Sequence, residues 1–174
     1  MLDRDLSPKH CPRCGHKLGR RQLKDNEPQR LVCIACGFVF YLDPKLAVCA
    51  LIAVDGRLVL GRRTIEPGRG LWVLPGGFVD RGEAVPRALE REVLEETGLE
   101  VETGPLWGLY SYPGQTVVVA VYQVRIVGGQ LYAGDETSEV GLFLPEEIPW
   151  PELAFQSTAD ALQEYVRRDQ GADR

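Results

Sequence analysis

A glycine-rich segment, residues 75–77, leads into a helix that carries carboxylates on its apolar face. At about 100° per residue, one apolar stripe is formed by Val85, Ala88, Leu89 and Val93. Glu92 and Glu96 fall inside that stripe, and Glu95 lies at its edge. Like charges one helical turn apart repel each other, and apolar surroundings add a desolvation penalty. A hard divalent cation with oxygen ligands would offset both effects, which indicates Mg²⁺ or Mn²⁺.

An ordinary acidic amphipathic helix is the alternative interpretation of these residues. Its glutamates would form a solvated face and pair with Arg87 and Arg91, which explains Glu90 well. The alternative explains neither the acids within the apolar stripe nor the glycines before the helix. We therefore favour metal binding.

The segment resembles the signature of the Nudix hydrolases at every fixed position. That signature is Gly, five residues, Glu, seven residues and Arg-Glu-hydrophobic-x-Glu-Glu-x-Gly-hydrophobic. The matching positions are Gly77, Glu83, Arg91, Glu92, Val93, Glu95, Glu96, Gly98 and Leu99. The resemblance implies cleavage of a diphosphate linked to a nucleoside, with Mg²⁺ or Mn²⁺ held by the signature carboxylates and a backbone carbonyl of Gly76 or Gly77.

Each charged residue of the signature then has an expected role. Glu92 and Glu96, one turn apart, are the first-choice metal ligands, and Glu95 is the next ligand or the group that takes the proton. Arg91 lies four residues before Glu95, a spacing that predicts an orienting salt bridge rather than substrate contact. Glu83 is expected to contact the metal-binding residues rather than the metal itself.

The general base of many Nudix enzymes comes from a later loop. The acidic segment 135–139 offers Glu136 and Glu139 for that role, although a solvated acidic loop explains the same residues equally well. For substrate recognition, an adenine or flavin ring needs aromatic stacking, and phosphates need guanidinium groups. The candidates for these contacts are Trp72, Phe78, Tyr110 and Tyr112 for the ring, and Arg62, Arg63 and Arg69 for the phosphates. Core packing is the alternative role of each aromatic residue.

Four of the five cysteines form two Cys-x-x-Cys-Gly repeats, Cys11 with Cys14 and Cys33 with Cys36. This spacing is typical of a zinc ribbon, and four thiolates leave no open coordination position, so the zinc is expected to be structural. Two redox dithiols or two vicinal disulfides are the alternatives. The two histidines of the chain, His10 and His16, flank the first repeat and are expected to be exposed, while Cys49 is expected to be a small buried strand residue.

Composition sets further bounds on the protein. It has 174 residues with 44% hydrophobic and 26% charged residues and a net charge of −5, which suits one main domain with a small appendage. No apolar run approaches the roughly 20 residues that a membrane helix needs, and residues 1–5 lack the core of a signal peptide, which predicts a cytoplasmic protein. The acidic balance argues against nucleic acid as a partner, and Arg20, Arg21, Lys24 and Arg30 of the ribbon are offset by Asp25 and Glu27.

The Asp43-Pro44 step marks the predicted junction between a zinc ribbon, residues 1–43, and a Nudix domain, residues 44–174. Predicted strands cover residues 45–54, 57–61, 71–74, 106–112, 116–127 and 140–144, with an Asp55-Gly56 hairpin turn and a break at Gly128-Gly129. Predicted helices run from near Ala84 to Gly98 and over residues 157–168. This pattern, like the resemblance, implies an α/β sandwich with a mixed sheet between helical layers.

A zinc ribbon before a Nudix domain is also found in NADH pyrophosphatases. Their signature Ser-Gln-Pro-Trp-Pro-x-Pro-x-Ser is absent here, where residues 107–115 stand in its place. The chain more closely resembles FAD and ADP-ribose pyrophosphatases, so ADP-ribose, FAD or NADH is the expected substrate class. The resemblance is compatible with a homodimer. A ribbon binding module with a nucleotide sensor that does not cleave is the alternative function, although a sensor has no need of the complete carboxylate set.

Overall fold

The structure is a computed structural model that describes residues 7–172, with side chains as far as Arg168. Residues 1–5, on which the signal-peptide expectation rests, lie outside the described residues. The chain divides into two compact units between Pro44 and Lys45. Within residues 7–172, neither helix has the length and apolarity that crossing a bilayer requires.

The first unit is built on a three-stranded antiparallel sheet. Its strands are β1 (Leu18–Arg21), β2 (Arg30–Cys33) and β3 (Val39–Phe40), in the order β1-β2-β3. Leu31 and Val32 are buried together with Cys11 and Cys33. So few buried side chains supply little hydrophobic stabilisation, and a unit of this size is typically held together by a metal.

The second unit contains a mixed four-stranded sheet, which confirms that part of the predicted fold. Its strands are β4 (Lys45–Leu51), β8 (Gly76–Phe78), β9 (Leu99–Tyr110) and β10 (Val117–Gly129), in the order β8-β4-β10-β9. β4 and β10 are parallel, and the other two pairings are antiparallel. β8 holds the glycine-rich segment against β4 at one edge of this sheet.

A second, antiparallel sheet was not predicted. It contains β5 (Ala53–Val54), β6 (Arg57–Arg63), β7 (Trp72–Val73) and β11 (Thr137–Phe143). The predicted strand 45–54 is interrupted at Ile52, which is fully buried, and its two halves pair in different sheets. The predicted hairpin turn is present, because Asp55 and Gly56 both have positive φ angles of 49° and 75°, as a type I′ turn requires.

Two helices, α1 (Val85–Thr97) and α2 (Gln156–Ala172), cover opposite faces of the sheets. Alternation along β4 sends Val48 and Ala50 into the core beneath α1, and Leu51 into the core beneath α2. On α1 the fully buried residues Ala88, Leu89 and Val93 confirm the predicted stripe. Pro86 lies in the first turn, and Gly98, with φ 70°, ends α1 as predicted. The fold is therefore the predicted α/β/α sandwich.

The predicted strand over residues 106–112 begins earlier in the structure. β9 begins at Leu99, directly after α1, rather than at residue 106. Leu99 and Val101 alternate with exposed residues and are buried against α1. Gly128 and Gly129 do not interrupt β10, because they pair with Glu100 and Leu99 across an irregular register. Only the partner strand makes this pairing favourable for two glycines.

Candidate active site

The glycine-rich segment is pressed against β4. Ala50 donates its N–H to the Pro75 carbonyl oxygen over 2.8 Å. Gly76 has φ 147°, and a Cβ at this position would overlap the carbonyl oxygen of Val48. A side chain is therefore excluded here by both conformation and space.

Glu92 and Glu96 of α1 point at this segment. The Glu92 carboxylate occupies the space that a Cβ on Gly77 would need, so glycine permits the approach. Gly76 donates its backbone N–H to Oε2 of Glu96 over 2.8 Å. Glu92 has 16% of its side chain exposed, whereas Glu95 has 59% exposed. The structure thus brings together two half-buried carboxylates and one exposed carboxylate.

Burial raises the pKa of both enclosed carboxylates. Desolvation raises the pKa of Glu96 to about 7, against the opposing effect of the Gly76 N–H. Desolvation also raises the pKa of Glu92, while Arg91 lowers it. Each shift shows that the negative charge is incompletely compensated by protein groups. Two carboxylates with this deficit of positive charge, both facing the glycine-rich segment, fit a divalent cation, and so do the backbone carbonyl groups of that segment.

Arg91 is engaged by three carboxylates at once. Its guanidinium lies 3.0 Å from Glu83, 2.8 Å from Glu92 and 3.2 Å from Glu95. The hydrogen bond from Arg91 lowers the pKa of Glu83. A further hydrogen bond, over 3.3 Å, joins Arg91 to the carbonyl oxygen of Phe78. With its donors used in this way, Arg91 orients the acidic residues, and the expected Arg91–Glu95 pair is present.

A loop of residues 130–136, here called the strap, crosses the C-terminal end of α1. Gln130, Tyr132 and Gly134 donate their N–H groups to the carbonyl oxygens of Gly98, Thr97 and Glu96 over 3.2, 2.9 and 3.0 Å. These bonds satisfy carbonyls that a helix end leaves without partners. At Gly134 the strap approaches so closely that a Cβ would overlap the Glu95 carbonyl oxygen. The strap is therefore fixed to the C-terminal end of the helix that carries the acidic residues.

These elements enclose an open cleft of about 790 Å³. Its lining residues are Arg63, Ile65, Gly76, Gly77, Phe78, Asp80, Arg91, Glu92, Glu95, Glu96, Tyr132, Gly134, Asp135 and Glu136. Acidic residues occupy the floor, and the partly exposed side chains of Ile65, Phe78 and Tyr132 add apolar surface.

Arg63 supplies a cation to the cleft from β6. Its guanidinium lies over the Phe155 ring, 5.1 Å from the centroid, and its Nε donates to the Pro67 carbonyl oxygen over 2.8 Å. Its positive charge opposes the raised pKa of Glu96. These contacts hold the guanidinium in one orientation at the cleft wall.

The sulfur atoms of the two Cys-x-x-Cys repeats converge in the first unit. The ligand atoms of Cys11, Cys14, Cys33 and Cys36 all lie within 4.8 Å of one another. None of these four cysteines forms a disulfide, and sulfur contacts such as 3.3 Å from Cys14 to Cys36 join the two repeats. The Cys36 N–H donates to Sγ of Cys33, a backbone contact that stabilises a thiolate at that sulfur. One four-sulfur site fits zinc better than two separate dithiols.

Comparison with known proteins now identifies the second unit. A NUDIX domain model matches residues 43–165, more than two thirds of the chain. The chain belongs to the Nudix family. A zinc-ribbon model described as Nudix N-terminal matches residues 9–42, which include all four clustered cysteines. These matches confirm the family, the fold and the class of enzyme expected from the sequence.

Similar Nudix proteins differ in their reported substrates. ADP-ribose pyrophosphatase from Methanocaldococcus jannaschii is 37% identical over 135 residues, which cover 75% of this chain and 78% of that protein. NAD-capped RNA hydrolase NudC from Haemophilus influenzae is 30% identical over 151 residues, 83% of this chain, but the match spans only 54% of NudC. A Nudix hydrolase crystal structure from Nitrosomonas europaea gives a TM-score of 0.87 at 31% identity, with 94% and 93% of the chains covered.

Several residues expected to contact substrate do not reach the Nudix cleft. Trp72 is 6% exposed, because it packs edge-on against Phe143 with Arg62 over its ring. Arg62 itself donates to the Gly70 carbonyl oxygen and pairs with two glutamates outside the cleft. Tyr112 donates its hydroxyl to Asp160 of α2 over 2.6 Å. Of the seven residues that the sequence suggested for substrate binding, Arg63 and Phe78 line the cleft.

The two candidate bases are separated in the Nudix fold. Glu136 lies on the strap and lines the cleft, whereas Glu139 is in β11 and faces Arg62 at 3.5 Å. Sequence reasoning missed Tyr132, since no motif distinguishes it. It also missed the role of Gly134, although a glycine directly before an acidic loop is a usable signal for close backbone approach. The expected exposure of His10 and His16 is confirmed, and Cys49 is partly rather than fully buried.

Proposed function

We propose that this Nudix enzyme hydrolyses a nucleoside diphosphate derivative with ADP-ribose as the leading substrate, in a reaction that depends on Mg²⁺ or Mn²⁺. The observation that carries the proposal is the pair of half-buried carboxylates, Glu92 and Glu96, held against the glycine-rich segment with raised pKa values. Such a site has a deficit of positive charge beside an open cleft that can admit a diphosphate.

Glu92, Glu95, Glu96 and a backbone carbonyl of Gly76 or Gly77 would hold the divalent cation. When bound, the cation offsets the charge of the diphosphate and lowers the pKa of water. Arg91 and Glu83 keep the carboxylates oriented through the ion pairs described above.

The remaining cleft residues have separate tasks. Glu136 on the strap accepts the proton of the attacking water, whose oxygen forms a bond to phosphorus as the anhydride P–O bond breaks. The Arg63 guanidinium binds a phosphate oxygen. Phe78 and Tyr132, which are 46% and 56% exposed, offer ring faces to a planar group.

ADP-ribose leads this substrate class because of the similarity to the Methanocaldococcus protein, which extends over three quarters of both chains. FAD and NADH have the same diphosphate linkage and complete the proposed class. The preferred substrate among ADP-ribose, FAD and NADH is identified by comparing kcat/KM for the three compounds under identical conditions.

The test is AMP release from ADP-ribose with and without Mg²⁺ or Mn²⁺. Glu96→Gln is expected to lower the rate by about 10³-fold or more, because it removes a ligand charge while retaining side-chain shape. Glu90→Gln is the matched control on the same helix, since Glu90 pairs with Arg87 outside the cleft. Wild-type binding of ADP-ribose without cleavage, or equal rates for both variants, would refute the proposed hydrolysis.

We further propose that residues 1–43 form a zinc ribbon in which one zinc ion bound by the four clustered cysteines supports folding, and that residues 44–174 form the Nudix domain. Metal analysis of reduced protein should find about one zinc per chain. A zinc content near zero would contradict the site. The homodimer stays a prediction, and light scattering on the purified protein tests it.

A further inference from the structure

The ribbon contains a groove that the proposed hydrolysis does not use. The Lys9 carbonyl oxygen accepts the N–H of Leu18 over 2.9 Å, and the His16 carbonyl oxygen accepts the N–H of Cys11 over 2.7 Å. These bonds fold the N-terminal segment back along β1, so that His10 pairs with Lys17. The result is a groove of about 450 Å³ in the first unit.

Basic and apolar side chains share the lining of this groove. Lys9, His10, Lys17 and Arg20 line it together with the apolar side chains of Leu18 and Leu31. Among the residues that the structure describes, no aspartate or glutamate lines the groove. Asp25 and Glu27, which offset basic residues of the ribbon in the sequence, do not line the groove, and Glu27 is paired with Lys24 at 3.1 Å.

The net charge of the whole chain conceals an uneven distribution. Residues 1–44 contain eight Lys and Arg against five Asp and Glu, a formal charge of +3, whereas residues 45–174 contain 12 against 20, a charge of −8. A zinc ion with four thiolates would contribute −2 to the first unit. The basic groove, rather than the net charge of the unit, therefore indicates a polyanionic partner. The expectation against nucleic acid was based on the average charge alone.

We propose that this groove binds the phosphate backbone of a single-stranded nucleic acid. Lys9 and Lys17 come from the two paired chain segments that form the groove, so its cations suit a chain of phosphates better than one phosphate group. The choice of nucleic acid over an acidic peptide rests on the proposed function, because a nucleic acid end can carry a nucleoside diphosphate.

The test measures binding of a fluorescein-labelled 12-nucleotide oligouridylate to the full chain by anisotropy, without added divalent cation. Hydrolysis is absent from this assay, so failure of binding is distinguishable from failure of the proposed activity. The two lysines of the groove, Lys9 and Lys17, predict a slope of log K against log salt near −1.4, at about −0.7 per phosphate contact.

Matched variants separate the groove from general charge. Lys9→Glu/Lys17→Glu should weaken binding more than about 10-fold and flatten the salt slope. Arg13→Glu/Arg21→Glu makes the same charge change on ribbon residues that do not line the groove, and it should weaken binding less than about 3-fold. Circular dichroism and zinc content of each variant confirm folding, and Lys9→Gln/Lys17→Gln provides a milder second variant.

Three outcomes would overturn the proposal. Equal weakening by the groove variant and its control would reduce the binding to non-specific attraction. A 12-residue polyglutamate that competes as well as unlabelled oligouridylate would assign the groove to an acidic peptide. Equal competition by inorganic tripolyphosphate, at the same phosphate concentration, would assign it to a small polyphosphate rather than a strand.

Discussion

The substitution Gly134→Ala is expected to detach the strap from α1 and so reduce both stability and turnover. A Cβ at Gly134 would overlap the carbonyl oxygen of Glu95 and lie close to Cα of Glu96, both of them backbone atoms of a packed helix. Neither atom can move aside as a flexible side chain does, so the strap must shift. The shift breaks the bond from Gly134 to the Glu96 carbonyl and strains the bond from Tyr132 to Thr97.

The magnitude follows from the broken contacts. Two backbone hydrogen bonds contribute about 2 kcal/mol together, at about 0.5–1.5 kcal/mol each. For a protein of this size, that loss lowers the melting temperature by about 4–8 °C. Glu136 lies two residues beyond Gly134 and moves with the strap, and a misplacement of about 1 Å in a reacting group can reduce turnover by about 10²-fold.

The assay is thermal denaturation together with steady-state AMP release from ADP-ribose. Ala133→Ser is the matched control, because it adds one heavy atom to an exposed neighbouring position of the same strap. The control should keep the melting temperature and kcat of the unmodified enzyme. If Gly134→Ala also kept both, close backbone approach would not be what holds the strap, and the positioning of Glu136 would need another explanation.

Further predictions address the metal site, the ribbon and α2. Gly77→Ala should displace the Glu92 carboxylate and reduce Mg²⁺ affinity and kcat, measured by metal titration of activity; an unchanged titration would exclude the proposed contact. Cys11→Ser/Cys14→Ser should unfold the ribbon yet leave measurable turnover, and complete loss of turnover in a soluble, folded second unit would give zinc a catalytic part. Tyr112→Phe should lower stability by about 1–2 kcal/mol with KM unchanged, because the hydroxyl binds α2; a raised KM would restore its predicted substrate role.

The sequence was sufficient to predict α1 and its acidic face. Periodicity placed Ala88, Leu89 and Val93 in the core, and glycine at position 98 marked the helix end. These features depend on interactions within one or two helical turns, which the local sequence specifies. The convergence of the cysteine sulfur atoms could also be predicted from the sequence, since Cys-x-x-Cys-Gly repeats form compact turns that present both sulfur atoms together.

Other properties depended on neighbours distant in the sequence. The sequence could not divide residues 45–54 between two sheets, because β4 pairs with β10 and β5 pairs with β6. It could not extend β9 back to Leu99, since the partner strand β10 provides the hydrogen bonds. Strand propensity depends on such pairing more than helix propensity does.

The division between sequence and tertiary structure is clearest at the cleft. The residue types of the acidic motif and the cysteine repeats, and with them the expected chemistry, were determined by the sequence itself. Tertiary structure decided which equivalent-looking residues share the cleft: it placed Glu136 there and turned Glu139 toward Arg62, and it buried Trp72 while leaving Tyr132 exposed. The physical reason is that burial and hydrogen bonding between distant segments orient a side chain, and neither is encoded in its local spacing.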